Sequence, residues 1–122
     1  MREQRILLKY RGQNRELTLK VCNWFGKFFG LMFRRKKDAE ALLFEFKRPS
    51  RVRIHSLFVF FPFVAIWMDE KGEILSKKVV TSWKFSVKAP EKFTKLIEIP
   101  CNKKYLEIVR FLVGSRKSLK RD

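Results

Sequence analysis

The sequence predicts a mainly β protein, a compact single-domain sandwich, jelly-roll-like or barrel-like fold with one or two short helices. Two observations lead there. Short runs of alternating apolar and polar residues recur at close spacing along the chain, bounded by Gly, Pro, Asn and Asp. The longest uncharged run, Leu57 to Met68, is interrupted by Pro62, and its second half has strand length and composition.

The elements follow in order. Ile6 to Tyr10 and Glu16 to Val21 read as a hairpin around Arg11-Gly12-Gln13-Asn14, with Leu17, Leu19 and Val21 on one face. Asn23 caps a short predicted helix over Trp24 to Phe29 that ends at Gly30, after which Leu31-Met32-Phe33 returns the chain to the core. Ala41 to Phe46 is a strand with Leu42, Phe44 and Phe46 inward, and Lys47 to Ser50, with Pro49, is a turn. Arg51 to His55 is a short strand with Val52 and Ile54 inward. Phe63 to Met68 is apolar on both faces and therefore central or covered. Asp69-Glu70-Lys71-Gly72 turns it into a return strand, Glu73 to Val80. Trp83 to Lys88 alternates, with Trp83, Phe85 and Val87 on one face, and Phe93 to Ile99 is a last strand before Pro100. Asn102 is the expected cap of a helix over Lys103 to Phe111, with Tyr105, Ile108, Val109 and Leu112 at helical spacing and Gly114 as its stop. Residues 1–114 form the expected domain and 115–122 a basic C-terminal tail.

At 122 residues the chain suits one domain, and 13 Phe supply core volume with no polar tip to satisfy. Lys and Arg number 29 against 12 acidic residues, a formal net charge of +17. Such an excess repels itself in the compact state and is offset by binding polyanions. The start, MREQRILLKY, lacks the apolar core of a secretory signal, and no run reaches the roughly 20 apolar residues of a membrane span. A cytoplasmic location is expected. Cys22 and Cys101 are far apart and make no CxxC unit, so free thiols are expected, with a disulfide as the alternative.

Four blocks stand in order: Gly30 to Arg34; Leu42 to Phe46; Ile54-His55-Ser56 through Phe61-Pro62 to Asp69-Glu70-Lys71-Gly72; and Pro90 with Leu96-Ile97-Glu98-Ile99-Pro100. Their order and spacing resemble the prokaryotic family called Domain of Unknown Function 192, from about Val21 to Gly114. The resemblance implies a compact β-rich domain and no known reaction. The family often has Asp two residues after the proline, where this chain has Val64, and often closes with Gly-Asp, where this chain has Gly114-Ser115.

No nucleophile elbow, phosphate loop or metal-ligand spacing is present, so no enzyme, cofactor or metal site is expected. The sole His, His55, reads as structural, and Glu45 and Glu98 read as outward strand positions or ion-pair partners. The leading expectation is a binding module for nucleic acid or another polyanion. Arg35, Lys36, Lys37, Arg51, Arg53, Lys84 and Lys88 contact phosphate in that reading, and exposed aromatics add stacking. The alternative is a small-ligand or protein-interaction module with Arg34, His55 and Trp83 near the site, or a protein partner or homodimer held through the Phe58 to Phe63 aromatic run. An unrecognised enzyme is the third reading.

Overall fold

Six strands form one curled, half-barrel sheet in the order β1-β2-β3-β6-β4-β5. The computed structural model describes residues 2–22, 31–32, 34–56, 58–84 and 86–114. The strands are β1 (Arg2–Tyr10), β2 (Gln13–Val21), β3 (Leu42–Ser50), β4 (Phe63–Met68), β5 (Ile74–Val80) and β6 (Phe93–Pro100). A 3-10 turn, Lys103–Tyr105, leads into helix α1 (Leu106–Val113). The helix expected over Trp24 to Phe29 and the tail from Ser115 lie outside the described residues.

The β1-β2 hairpin is tighter than its turn residues suggest. Tyr10 pairs with Gln13, which leaves Arg11 and Gly12 as the whole loop. Both have positive φ (52° and 73°), as a twist-matched two-residue hairpin requires. All strand pairs are antiparallel except β2-β3, where Lys20 faces Leu42 and Val21 faces Leu43. β3 stays extended through Pro49, so the expected turn at Lys47 to Ser50 is absent. A register shift between Glu45 and Ser50 takes its place, which is where a residue without an N–H is tolerated in a sheet.

The side-chain period of two divides the core between the two faces of the sheet. Phe63, Ala65 and Trp67 of β4 join Leu42, Phe44, Phe93 and Leu96 in one cluster, covered by the segments at 51–62 and 81–92. Val64, Ile66 and Met68 join Leu8, Leu17, Leu19, Leu43, Ile97 and Ile99 in the other, covered by α1. β4 is buried along its whole length, as a both-faces-apolar strand should be. Val64, where the resembling family often has Asp, is fully buried between Val79 and Ile99 on the helix side.

Helix α1 and its 3-10 lead-in bury the expected Tyr105, Ile108, Val109 and Leu112. Gly114 ends the helix at φ 82°, its N–H donating to Arg110 O at 2.9 Å. Asn102 stands at the expected N-cap position, extended before the 3-10 turn, but its side chain makes no capping bond. Its side chain turns away from the helix, and Nδ2 donates to Lys36 O at 2.7 Å and Ala39 O at 3.0 Å. The buried Tyr105 Oη accepts from Ala41 N–H at 2.7 Å. Tyr105→Phe leaves that amide without its partner and is expected to cost on the order of 1–3 kcal/mol, read as a lower urea midpoint at an unchanged slope.

Glu98 corrects the sequence reading. It is 6% exposed, set between Leu42 of β3 and Ala65 of β4 on the loop-covered face. Burial pushes its carboxyl up to about 8, so it is protonated at neutral pH. Glu45 does make an ion pair, with Arg2 at 3.5 Å. No disulfide joins Cys22 and Cys101.

Candidate functional site

Two expected strands, Arg51 to His55 and Trp83 to Lys88, are loops. One antiparallel bridge, Ile54 to Val87, ties them together, with N–H···O distances of 3.1 and 2.6 Å. Their alternation does not reach a sheet. Val52, expected inward, is exposed, while Ile54 and Val87 anchor the crossing in the core. Phe85 lies outside the described residues. Freed from a ladder, the two loops present Arg51, Val52, Arg53, Trp83, Lys84, Ser86 and Lys88 to solvent.

Ser56 is the pin between them, fully buried at 0% exposure. Its Oγ donates to Thr81 O and accepts from Lys84 N–H, both at 2.6 Å. Its N–H donates to Lys84 O at 2.9 Å, and its carbonyl accepts from Trp83 N–H at 2.8 Å and Val59 N–H at 3.1 Å. Ser56 lies outside the candidate site residues that charge and aromatic patterning point to. The one signal available was a small hydroxyl residue immediately before a long aromatic run.

The pin brings three rings together. Phe58 and Trp83 stand edge-on with centroids 4.9 Å apart, and Phe60 and Trp83 do so at 5.8 Å. All three rings are exposed, Phe58 by 40%, Phe60 by 59% and Trp83 by 47%. Between them Val59 and Phe61 point into the core, so the apolar run alternates out and in up to Pro62. Phe58 (φ 57°) and Trp83 (φ 64°) adopt the left-handed conformation that bulky residues avoid, at a cost on the order of 1–3 kcal/mol each.

Arg51, Arg53, Lys84 and Lys88, all exposed, belong to the same two loops. Arg53 Nη1 donates to Ser86 Oγ at 3.2 Å, a cross-loop bond. None of the four cations forms an ion pair with a described residue. His55 is half-buried in the first loop, directly before Ser56. Arg34 is exposed and lies in the other loop region, after Leu31, whose carbonyl accepts its N–H at 3.3 Å. Arg35, Lys36 and Lys37 line a separate depression near the start of the helix. The structure thus unites Trp83 with Phe58 and Phe60 and places Arg35 to Lys37 elsewhere.

A third concavity of about 760 Å³ opens between the sheet edges β1 and β5, lined by Tyr10, Lys71 and Lys77 among others. Tyr10 packs against Phe111 of α1 at 5.8 Å, and Lys77 Nζ lies 4.8 Å from the Tyr10 ring centroid. The hydrogen bond with Lys77 holds the Tyr10 phenol below its ordinary range. Among the described residues no group of three or more His, Cys, Asp or Glu could hold a metal ion, and no helix is long and apolar enough to cross a membrane.

Comparison with known proteins places the fold. The model of the family DUF192, described as "Uncharacterized ACR", matches residues 7–108. A candidate transcription regulator from Sinorhizobium meliloti 1021 superposes with a TM-score of 0.69 at 18% identity, over 88% of this chain and 84% of its own. A protein of unknown function from Novosphingobium aromaticivorans DSM 12444 superposes with a TM-score of 0.70 at 14% identity, over 88% of this chain and 79% of its own. At these identities the likeness is one of fold. No curated protein matches.

Proposed function

This chain belongs to the DUF192 family, and from that premise we propose that it is a binding module for single-stranded nucleic acid. Its surface for this is the Phe58, Phe60 and Trp83 cluster with its basic loops. The observation that carries the reading is three exposed rings, two of them (Phe58 and Trp83) held on strained backbone, on loops whose cations form no ion pair with a described residue. Sequence-tolerant single-strand binding combines such rings, on which bases stack, with basic groups that track the phosphates. The formal charge of +17 adds long-range attraction for the same partner. The description of one fold neighbour as a candidate transcription regulator points in the same direction.

The test is the anisotropy of a labelled single-stranded oligonucleotide titrated with protein at several salt concentrations. Affinity is expected to fall with salt, with a log-log slope of about 0.7 per phosphate contact. Phe60→Ala and Trp83→Gly are each expected to weaken binding roughly 5- to 150-fold, which corresponds to the loss of one stacked base. Trp83→Gly also relieves a positive φ, so its stability is expected to stay within about 1 kcal/mol of the parent. No binding at low salt, or binding indifferent to both substitutions, would overturn the reading.

A further inference from the structure

The basic depression near the start of the helix is a second, separate feature. It is an open cavity of about 1130 Å³ between the Arg35 to Lys37 turn on one side and Lys103, Lys104 and Leu106 on the other. Its walls are fixed to each other by hydrogen bonds. Asn102 Nδ2 donates to the carbonyls of Lys36 and Ala39, which fastens the turn to the residue before the 3-10 lead-in. Cys101 N–H donates to Pro62 O at 3.0 Å, which fixes the floor. The cavity is therefore preformed, with little ordering left for a ligand to impose.

The cations around it are unequally engaged. Arg35 is paired with Asp38 at 2.6 Å, and Lys104 Nζ lies 3.8 Å from Glu40 Oε1. Lys36, Lys37 and Lys103 have no acidic partner within 4.0 Å among the described residues. Three exposed lysines thus border one concavity whose lining also includes the apolar Pro62, Leu106 and Val109. Asn102, 7% exposed and part of the lining, keeps its Oδ1 sealed from solvent, with no hydrogen-bond donor to it among the described residues. A buried acceptor of this kind is costly unless a donor reaches it. Burial pushes the Cys101 thiol up to about 11, against a smaller opposing effect of Lys36, so at neutral pH it adds uncharged surface and is no nucleophile.

We propose that this cavity binds a small phosphorylated compound: a phosphomonoester or diphosphate carried on a ring-shaped, partly apolar body. Lys36, Lys37 and Lys103 hold the phosphate, and Pro62, Leu106 and Val109 pack against the body. The site stands apart from the aromatic platform and does not depend on it.

Calorimetric titration of the full chain tests the proposal, with adenosine 5′-monophosphate, inorganic pyrophosphate and adenosine as probes. The monophosphate and pyrophosphate are expected to bind, and adenosine to bind at least about tenfold more weakly. The triple substitution Lys36→Ala, Lys37→Ala, Lys103→Ala is expected to weaken the monophosphate tenfold or more (roughly, for loss of the charged contacts). These side chains are exposed, and their loss lowers the net charge, so the fold should hold; Lys103→Gln alone serves as the milder variant. Phe60→Ala and Trp83→Gly are expected to leave the binding of pyrophosphate, which has no base to stack, unchanged, which separates this site from the platform. Three results would overturn the proposal: neither phosphate compound binds at millimolar concentration, adenosine binds as well as its phosphate, or the lysine substitutions have no effect.

Discussion

Replacing Glu98 with Gln is expected to flatten a fall in stability that the parent protein shows between about pH 4.5 and pH 8. The sign follows from proton binding. In the unfolded chain the Glu98 carboxyl has its ordinary value of 4.5, and in the folded protein burial raises it to about 8. Below both values the group is neutral in either state and contributes no pH dependence. Between them the unfolded chain has released a proton that the folded protein keeps, so each pH unit removes about 1.4 kcal/mol of stability. Above pH 8 both states are ionised and the dependence ends. At pH 7 the accumulated cost is on the order of 3 kcal/mol, a large share of a domain's net stability. Urea unfolding of both proteins at pH 5, 6, 7 and 8 measures it: the two stability curves should diverge as pH rises. Curves that run parallel across this range would mean that the carboxyl is not held neutral in the fold.

Removing the Ser56 hydroxyl is the second large effect. Ser56→Ala deletes both 2.6 Å bonds that join the loops, and leaves the Thr81 carbonyl and the Lys84 amide without their partners. The expected loss is about 2–4 kcal/mol, reduced to the extent that water reaches the freed groups. The effect should be local as well as global. Trp83, at φ 64° in the next residue, keeps its strained backbone only while its surroundings impose it. Amide hydrogen exchange at Trp83 and Lys84 should accelerate far more than exchange in β4 or β6. Single-strand binding, if it depends on the platform, should fall with it. Uniform acceleration across the sheet would show that Ser56 supports the fold generally and does not position the rings.

The strands that could be read from the sequence are those whose local pattern and tertiary environment agree. Phe63 to Met68 lacks a polar residue on either face, and both of its faces are in fact covered. The β1-β2 and β4-β5 hairpins carry turn residues that accept positive φ, Gly12 and Gly72. Tyr105, Ile108, Val109 and Leu112 repeat at helical spacing and are buried together. Arg51 to His55 and Trp83 to Lys88 show the limit. Alternation signals a strand only if a ladder partner exists, and here Ile54 and Val87 have only each other. Glu98 shows the same limit from the other side. A charged residue in an alternating run is normally placed in water, yet Leu42 and Ala65 flank this one in the interior of the sheet.

The candidate surfaces were legible in kind but not in composition. Charge indicated an anionic partner, and the aromatic run indicated rings in search of a role. Neither indicated that Trp83 would stand beside Phe58 and Phe60, or that Lys36 and Lys37 would face Lys103 across a cavity. Ser56 and Asn102, which arrange these groups, carry no local signature, because their hydrogen bonds reach 25 to 66 residues along the chain.

The sequence by itself determined the β-rich class, the hairpins, the central strand, the closing helix and the excess of positive charge. Each of these is set by the side chains and turn residues of one short segment. The tertiary structure alone decided that β6 lies between β3 and β4, that β2 and β3 run parallel, that Glu98 is buried and neutral, and that three aromatic rings stand in solvent, two of them on strained backbone. The physical reason is that these depend on which distant faces are buried together, and that choice is made by the sheet as a whole.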